Sequence, residues 1–344
     1  MSDFKSPDLP SRRAALALAA GSAAFAVAPG SAQAQSKKVI KVGFSSAADL
    51  ENDNGMSGWF LQNYINGRSK TLAVEVYGSS GLGSDQDVIQ ALQLGSGATI
   101  YIGGTALFNT FLPRVGVLDL PFLWKDYDHV GRALDGEIGK TLVADFEKGG
   151  FKVLGWGYSW GYRNVMTRSK PVKKPEDLAG LKIRTIQSPI YVAALNAMGA
   201  NATPMAFGET YTALQTGVLD GFEHAASMVY SSKLYEVTKN IALTRHLFGP
   251  TVLIYSLPLW RQLSDEERKT VEEAAALAIE VNRALAPIRE KKAIEALVAK
   301  GMTVETVDTR PYAAKAEPLQ VELATKIGAK DLLEKIRAAA APAN

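Results

Sequence analysis

The side chains in this sequence that could do chemistry are two arginines, an acid–histidine pair, and scattered hydroxyl, acid and aromatic groups. Arg184 ends the short run Leu181 to Thr185, where Leu181 and Ile183 alternate with Lys182 and Arg184. Alternation of that kind is the period of a strand. In open α/β sheets the ligand crevice lies beyond the carboxyl ends of the strands, so Arg184 is placed to face a ligand. A guanidinium presents a planar fork of donors that matches a carboxylate with two parallel hydrogen bonds. For an isolated arginine the competing account is an ordinary surface ion pair. Ser45, Ser46 and Asp49 follow the strand Val39 to Phe44 and occupy another strand end. Arg163 closes the run from Gly155, whose Trp156, Tyr158 and Trp160 read as extended crossings with aromatics lining the space between lobes. His224 can donate a hydrogen bond, and its protonation can change near neutral pH. Glu223 is placed to orient it.

Catalysis has little to work with. There is no cysteine, which excludes disulfides, thiol nucleophiles and Cys-ligated metal. The three histidines, His129, His224 and His246, are far apart and none sits in an HExxH-like pattern. Gly155, Gly157 and Gly161 hint at a dinucleotide fingerprint, but strand and turn residues follow them where a helix is required. The loop Gly78 to Gly83 lacks the Lys-Ser/Thr ending of a phosphate cradle and reads as a turn feeding a helix capped by Ser84 or Asp85. No cofactor or metal is expected. Lys+Arg total 38 against 35 Asp+Glu, a net charge of +3 with no basic block, so nothing points to nucleic acid.

The elements that position these residues suggest two lobes, for which 344 residues suffice. Around Arg184 the order is strand, helix, loop, helix, strand. Ser188 and Pro189 open the first helix, and Gly199 and Gly217 stop the two. Ala213-Leu-Gln-Thr-Gly217 before one strand echoes Ala91-Leu-Gln-Leu-Gly95 before another, consistent with two similar lobes facing each other. Pro113 to Phe122 reads as extended, Trp124 to Glu147 as mostly helical, and Thr251 to Ser256 as a strand returning to the first lobe. Ser264 with Glu267 forms a capping box. The helix it opens runs to about Lys300; roughly 36 residues would span about 54 Å, across both lobes. Pro287 should kink it. The expected division is lobe I from residues 35–160 plus 250–288, lobe II from 161–249 plus 289–336, and a tail over 337–344.

Residues 1–34 read as an export signal. Arg12-Arg13 precedes an Ala/Leu run, and Ala32-Gln-Ala34 suits signal peptidase. The paired arginines resemble a twin-arginine signal, though without an aromatic after them. The apolar run is too short for the roughly 20 residues of a membrane span. A soluble, exported protein with no direct membrane insertion is expected, in the periplasm of a Gram-negative cell.

The stretch from Pro171 to His224 resembles the signature region of the periplasmic substrate-binding proteins of tripartite ATP-independent (TRAP) transporters. The match consists of Asp177-Leu178, Gly180-Leu181-Lys182-Ile183-Arg184, Gly199-Ala200, Thr203-Pro204-Met205-Ala206-Phe207, Glu209, Tyr211, Ala213 to Gly217, and Asp220-Gly221 with Glu223. Weaker similarity extends over nearly all of the mature chain. The resemblance implies a two-lobed α/β periplasmic-binding-protein (Venus flytrap) fold and a non-enzymatic role. A small organic acid would be captured between the lobes and delivered to the small and large membrane subunits of a permease. It implies that Arg184 binds the substrate carboxylate, with Arg163 a second ligand and Phe207 in the site. His224 stands where the family often has asparagine. Sialic-acid binders carry a Glu and an Arg in the first-lobe region that here reads Ile102 to Leu107, so sialic acid is not expected. Gly104 there leaves room and a backbone donor, which suits a hydroxylated or aromatic monocarboxylate. Two rival readings share the scaffold: a secreted bilobal enzyme, and a sensor-coupled binding protein for an aromatic or keto acid.

Overall fold

The chain is built outward from two long strands. The computed structural model describes residues 36–341; the leader expected over residues 1–34 lies outside them. Lys38–Gly43 (β1) and Leu72–Tyr77 (β2) pair in parallel, with the helix Asp53–Arg68 (α1) as their crossover. The Asn52 side chain caps α1 by accepting the Asn54 and Gly55 N–H groups, which have no intrahelical partner. Asp85–Leu94 (α2) opens on a capping box between Ser84 and Asp87, and Gly95 ends it in the left-handed region at φ 67°. Ile100–Gly104 (β3) follows, parallel to β1 and buried throughout.

Beyond β3 the sequence expectation fails locally. Pro113–Asp119 is a 3-10 helix rather than an extended crossing. Pro113 sits in its first turn, where its missing N–H costs nothing, and Val115, Val117 and Leu118 turn into the core. Two helices follow, Tyr127–Asp135 (α3) and Glu137–Lys148 (α4).

Phe151–Thr167 (β4) is one 17-residue strand where two pieces are expected. The parallel unit after it is Lys182–Thr185 (β5), Pro189–Met198 (α5), Asn201–Pro204 (β6), Thr210–Gln215 (α6) and Gly221–Ala225 (β7). The sequence reading has no counterpart of β6, a short edge strand in the stretch read as loop. Ala226–Ser231 (α7) leads to Asn240–Ser256 (β8), again 17 residues and far longer than the expected Thr251 to Ser256.

The sheet order is β2-β1-β3-β8-β4-β7-β5-β6. β4 and β8 run antiparallel and serve both ends. Phe151–Gly157 pairs with Thr251–Ser256, to which β3 also bonds. Arg163–Thr167 pairs with β7. Between these portions the β4–β8 register breaks, from Gly157 to Gly161. Trp160 sits there at φ 81°, a region that bulky side chains rarely adopt. The result is a two-lobed α/β architecture whose lobes share two strands.

After Leu257–Trp260 (α8), the helix Asp265–Ala299 (α9) starts at the expected Ser264–Glu267 capping box and contains Pro287. Val271 is buried among first-lobe residues such as Ile40 and Leu253, and Leu297 among Met166 and Phe222. Each such burial contributes about 1.5–3 kcal/mol, so one helix is held by two cores. Thr303–Glu305 (β9) adds to β8. Arg310–Ala316 (α10) packs on α5, while Leu319–Lys326 (α11) and Lys330–Ala338 (α12) close on the α3–α4 side. The expected tail is helical through Ala338, because Arg132 donates to the carbonyls of Ala339 and Ala340 at 2.9 and 3.2 Å and holds the end in place. Among the described residues no helix is long and apolar enough to cross a membrane.

Candidate functional site

Strand ends from both groups converge on a narrow pocket with a cavity volume of about 20 Å³. Ser45, Asp85, Trp160, Arg184, Phe207 and His224 all line it, so six of the eleven residues singled out by sequence come together.

Arg184 lies on β5 between β6 and β7, which explains why it is buried on a strand read as one-sided. Its Nε and Nη2 both donate to the Met205 carbonyl, at 3.0 and 2.6 Å. Nη1 is buried with no hydrogen-bond partner. The Phe207 ring centroid is 5.6 Å from the guanidinium carbon, a cation–π contact. Burial pulls the Arg184 pKa down to about 10, and the Arg163 charge adds to this; Glu223 and Asp85 oppose it. It is a cation at neutral pH without a carboxylate in contact.

Arg163 is different. It is fully buried and forks onto Glu223, with Nε to Oε2 at 2.6 Å and Nη2 to Oε1 at 2.7 Å. Thr185 Oγ1 donates to Glu223 Oε1 at 2.8 Å, and His246 Nε2 lies 3.6 Å from Oε2. Burial alone would raise the Glu223 pKa; the Arg163 charge and His246 hold it down at about 2. Antiparallel pairing of β4 with β7 makes this contact, since Val165 stands opposite Glu223 and Arg163 opposite Ala225. Neither Arg163 nor Glu223 is in the pocket wall. Glu223 therefore serves Arg163, not His224 as the sequence suggested.

His224 accepts the Ala225 N–H at Nδ1, 2.8 Å away, which leaves Nε2 to carry the ring proton. Burial, then the charges of Arg163 and Arg184, drive its pKa well below 6.5. The expected change of protonation near neutral pH is thereby overturned: the ring stays neutral. Trp160 and Phe207 flank it edge-on, with centroids 5.1 and 5.5 Å away. Trp160 Nε1 is a second lining donor that is buried without a partner. A Cβ on Gly104 would lie 2.3 Å from Trp160 Cζ3, so the space left by that glycine is taken by the indole.

Asp85, not the cap of α2 but its first residue, accepts the Tyr101 hydroxyl at Oδ1, 3.0 Å away. Burial raises its pKa, and Ser45, Tyr101 and Arg184 offset part of that. Besides Arg163 and Glu223, three expected residues fall outside the pocket wall: Gly104, Ser46 and Tyr158. Ser46 is buried and donates to Asn52 Oδ1 at 2.9 Å, supporting the α1 cap; it faces an outer groove that Ser45 and Phe207 also line. Tyr158 packs on Tyr127 and under the Arg283 guanidinium. Sequence reasoning missed Ile186 and Gln187, which line the pocket just past β5; the strand-end rule that flagged Ser45 would have found them. It also missed the Met205 carbonyl, which has no side-chain signal.

Comparisons with known proteins identify the family. The family model for bacterial extracellular solute-binding protein, family 7, matches residues 61–326. A solute-binding protein of Verminephrobacter eiseniae is 35% identical over 77% of this chain and 79% of its own. The C4-dicarboxylate-binding periplasmic protein DctP of Rhodobacter capsulatus is 32% identical over 86% of this chain and 89% of its own. A crystal structure of a TRAP periplasmic solute-binding protein from Polaromonas sp. JS666, bound to D-erythronate, superposes with a TM-score of 0.83 at 30% identity, covering 89% of this chain and all of that one. The chain belongs to the bacterial extracellular solute-binding proteins of family 7, the TRAP transporter substrate-binding proteins.

Proposed function

We propose that this protein captures a small hydroxylated carboxylate in the pocket at Arg184 and delivers it to the small and large membrane subunits of a TRAP permease. One observation carries the reading: Arg184 is a buried cation, held in place by a backbone carbonyl, with a donor left over and no carboxylate in contact. A buried charge without a counter-ion is costly. A ligand carboxylate would supply both the charge and the acceptor. His224 Nε2–H and Trp160 Nε1–H are further donors in the wall, and Phe207 packs on the guanidinium. Arg163 and Glu223 hold β4 and β7 together behind the site. The protein acts by binding and not by catalysis, and it works in the periplasm after removal of its leader.

The lobes close by rotating about the register break in β4 and β8; the second lobe takes 161–249 and the chain from 289, but α11 and α12 return to α3 and α4 of the first. The described form, with Arg184 buried, corresponds to the closed state. Ligand then shifts the population toward the compact form, and small-angle scattering should show a smaller radius of gyration at saturation. Mass spectrometry of ligand released from the purified protein, followed by calorimetry with the acid found, tests the whole reading. Recovery of a ligand without a carboxylate would overturn it.

A further inference from the structure

The pocket wall contributed by the first lobe carries an acid of its own. Among the described residues that line the pocket, Arg184 is the one cation and Asp85 the one acid, and His224 is neutral. Arg184 comes from β5 and Asp85 from the first turn of α2, so the two charges belong to different lobes. The Tyr101 hydroxyl donates to Asp85 Oδ1, which fixes that oxygen as an acceptor. An ionised carboxylate has about four acceptor sites, so Tyr101 and Ser45 leave capacity for a donor from the pocket. No lining cation stands on that side to balance an added negative charge.

We infer that Asp85 sets the substrate class, selecting polyhydroxy monocarboxylates and excluding dicarboxylates of the same length. This rests on the carboxylate reading of Arg184 above. An acid bound by Arg184 reaches toward Asp85 with its far end. A hydroxyl there donates to Asp85. With Asp85 ionised, a second carboxylate there meets a like charge in a site withdrawn from water, where screening is weak. Family membership does not decide the matter, since one relative is named for C4-dicarboxylates and one neighbour holds D-erythronate.

The test is calorimetry of the mature protein with pairs that differ only in one terminal group: D-erythronate against meso-tartrate, and D-galactonate against galactarate. Erythritol and galactitol serve as uncharged controls. We expect at least one aldonate to bind about 100-fold more tightly than its aldarate, close to 2.7 kcal/mol. Asp85→Asn should weaken the aldonate about tenfold and bring the ratio below about tenfold. Asp85→Ser, which keeps a small polar residue in the first turn of the helix, serves if the Asn variant does not melt like wild type. An aldarate binding as tightly as its aldonate overturns the inference, as does an unchanged ratio in a folded variant or failure of both aldonates to bind. The two readings fail separately. A polyol binding as well as its aldonate removes the Arg184 clamp. A lost ratio with acids still preferred to polyols removes only Asp85.

Discussion

Two arginines on strands that flank β7 are both buried, and their surroundings give them opposite roles. Arg163 has a carboxylate of its own, gripped by two charged hydrogen bonds and braced by Thr185. Arg184 has only a backbone carbonyl; both guanidinium groups keep a buried Nη1 without a partner, so the counter-charge alone separates them. The same chemistry flagged both in the sequence. The comparison shows that burial alone does not mark a binding residue; the state of its counter-charge does. A satisfied pair belongs to the fold, and an unsatisfied cation waits for a ligand.

The largest effect expected from this contrast is on stability. Arg163→Met leaves Glu223 buried without its cation, and breaking a buried pair on one side costs about 3–5 kcal/mol. Thermal melts should fall well below wild type. Arg184→Lys should melt near wild type but lose on the order of 2–5 kcal/mol of binding, because an ammonium cannot keep the Met205 contacts and also fork onto a carboxylate. The methyl ester of the acid should bind wild type poorly as well. Normal melting of Arg163→Met, or wild-type affinity in folded Arg184→Lys, would collapse the distinction.

A smaller effect lies in the pH dependence of stability. The Glu223 pKa is depressed from 4.5 to about 2 in the folded protein. The unfolded chain therefore binds the proton first as pH falls. The stability contributed by this group is present above about pH 4.5 and is lost as pH falls toward about 2. Asp119, accepting from Thr105 and Tyr191, has its pKa raised by burial to about 7, which gives the opposite slope at higher pH. The Glu223 window is thus best read below about pH 4. The melting-temperature gap between wild type and Glu223→Gln should narrow through that window; a constant gap would mean the pair titrates elsewhere.

Local signals were legible in the sequence. The Ser264–Glu267 box, Pro189 and Gly199 around α5, and the strand ends at Ser45 and Arg184 all follow from short-range rules. What did not show was set by pairing at long range. Arg163 and Glu223 meet only because β4 lies antiparallel to β7 in one register. Gly155 to Arg163 reads as extended crossings, but that they join one strand, and that β8 runs its full length beside it, depends on ladder partners supplied by both ends of the sheet. Gly104 was read as ligand space, and only the packed structure shows the Trp160 ring filling it.

The smallest expected effect concerns His224, the histidine that lines the pocket. Its Nδ1 is committed to the Ala225 N–H, and burial with two nearby guanidinium charges disfavours a second ring proton. A pKa well below 6.5 leaves the imidazole neutral through the range from about pH 6.5 to 8, so it contributes no slope there. Asparagine reproduces both ends of the arrangement: its oxygen can take the Ala225 N–H, and its amide can donate where Nε2–H does. His224→Asn should therefore bind the acid within a few fold of wild type, with a parallel pH profile. His224→Leu, which supplies neither group, should lose about 1 kcal/mol or more. Calorimetry of all three proteins across that range decides the point. A slope in wild type that vanishes in the asparagine variant would show that the histidine titrates, and that the contrast between a charged clamp and a neutral donor beside it does not hold.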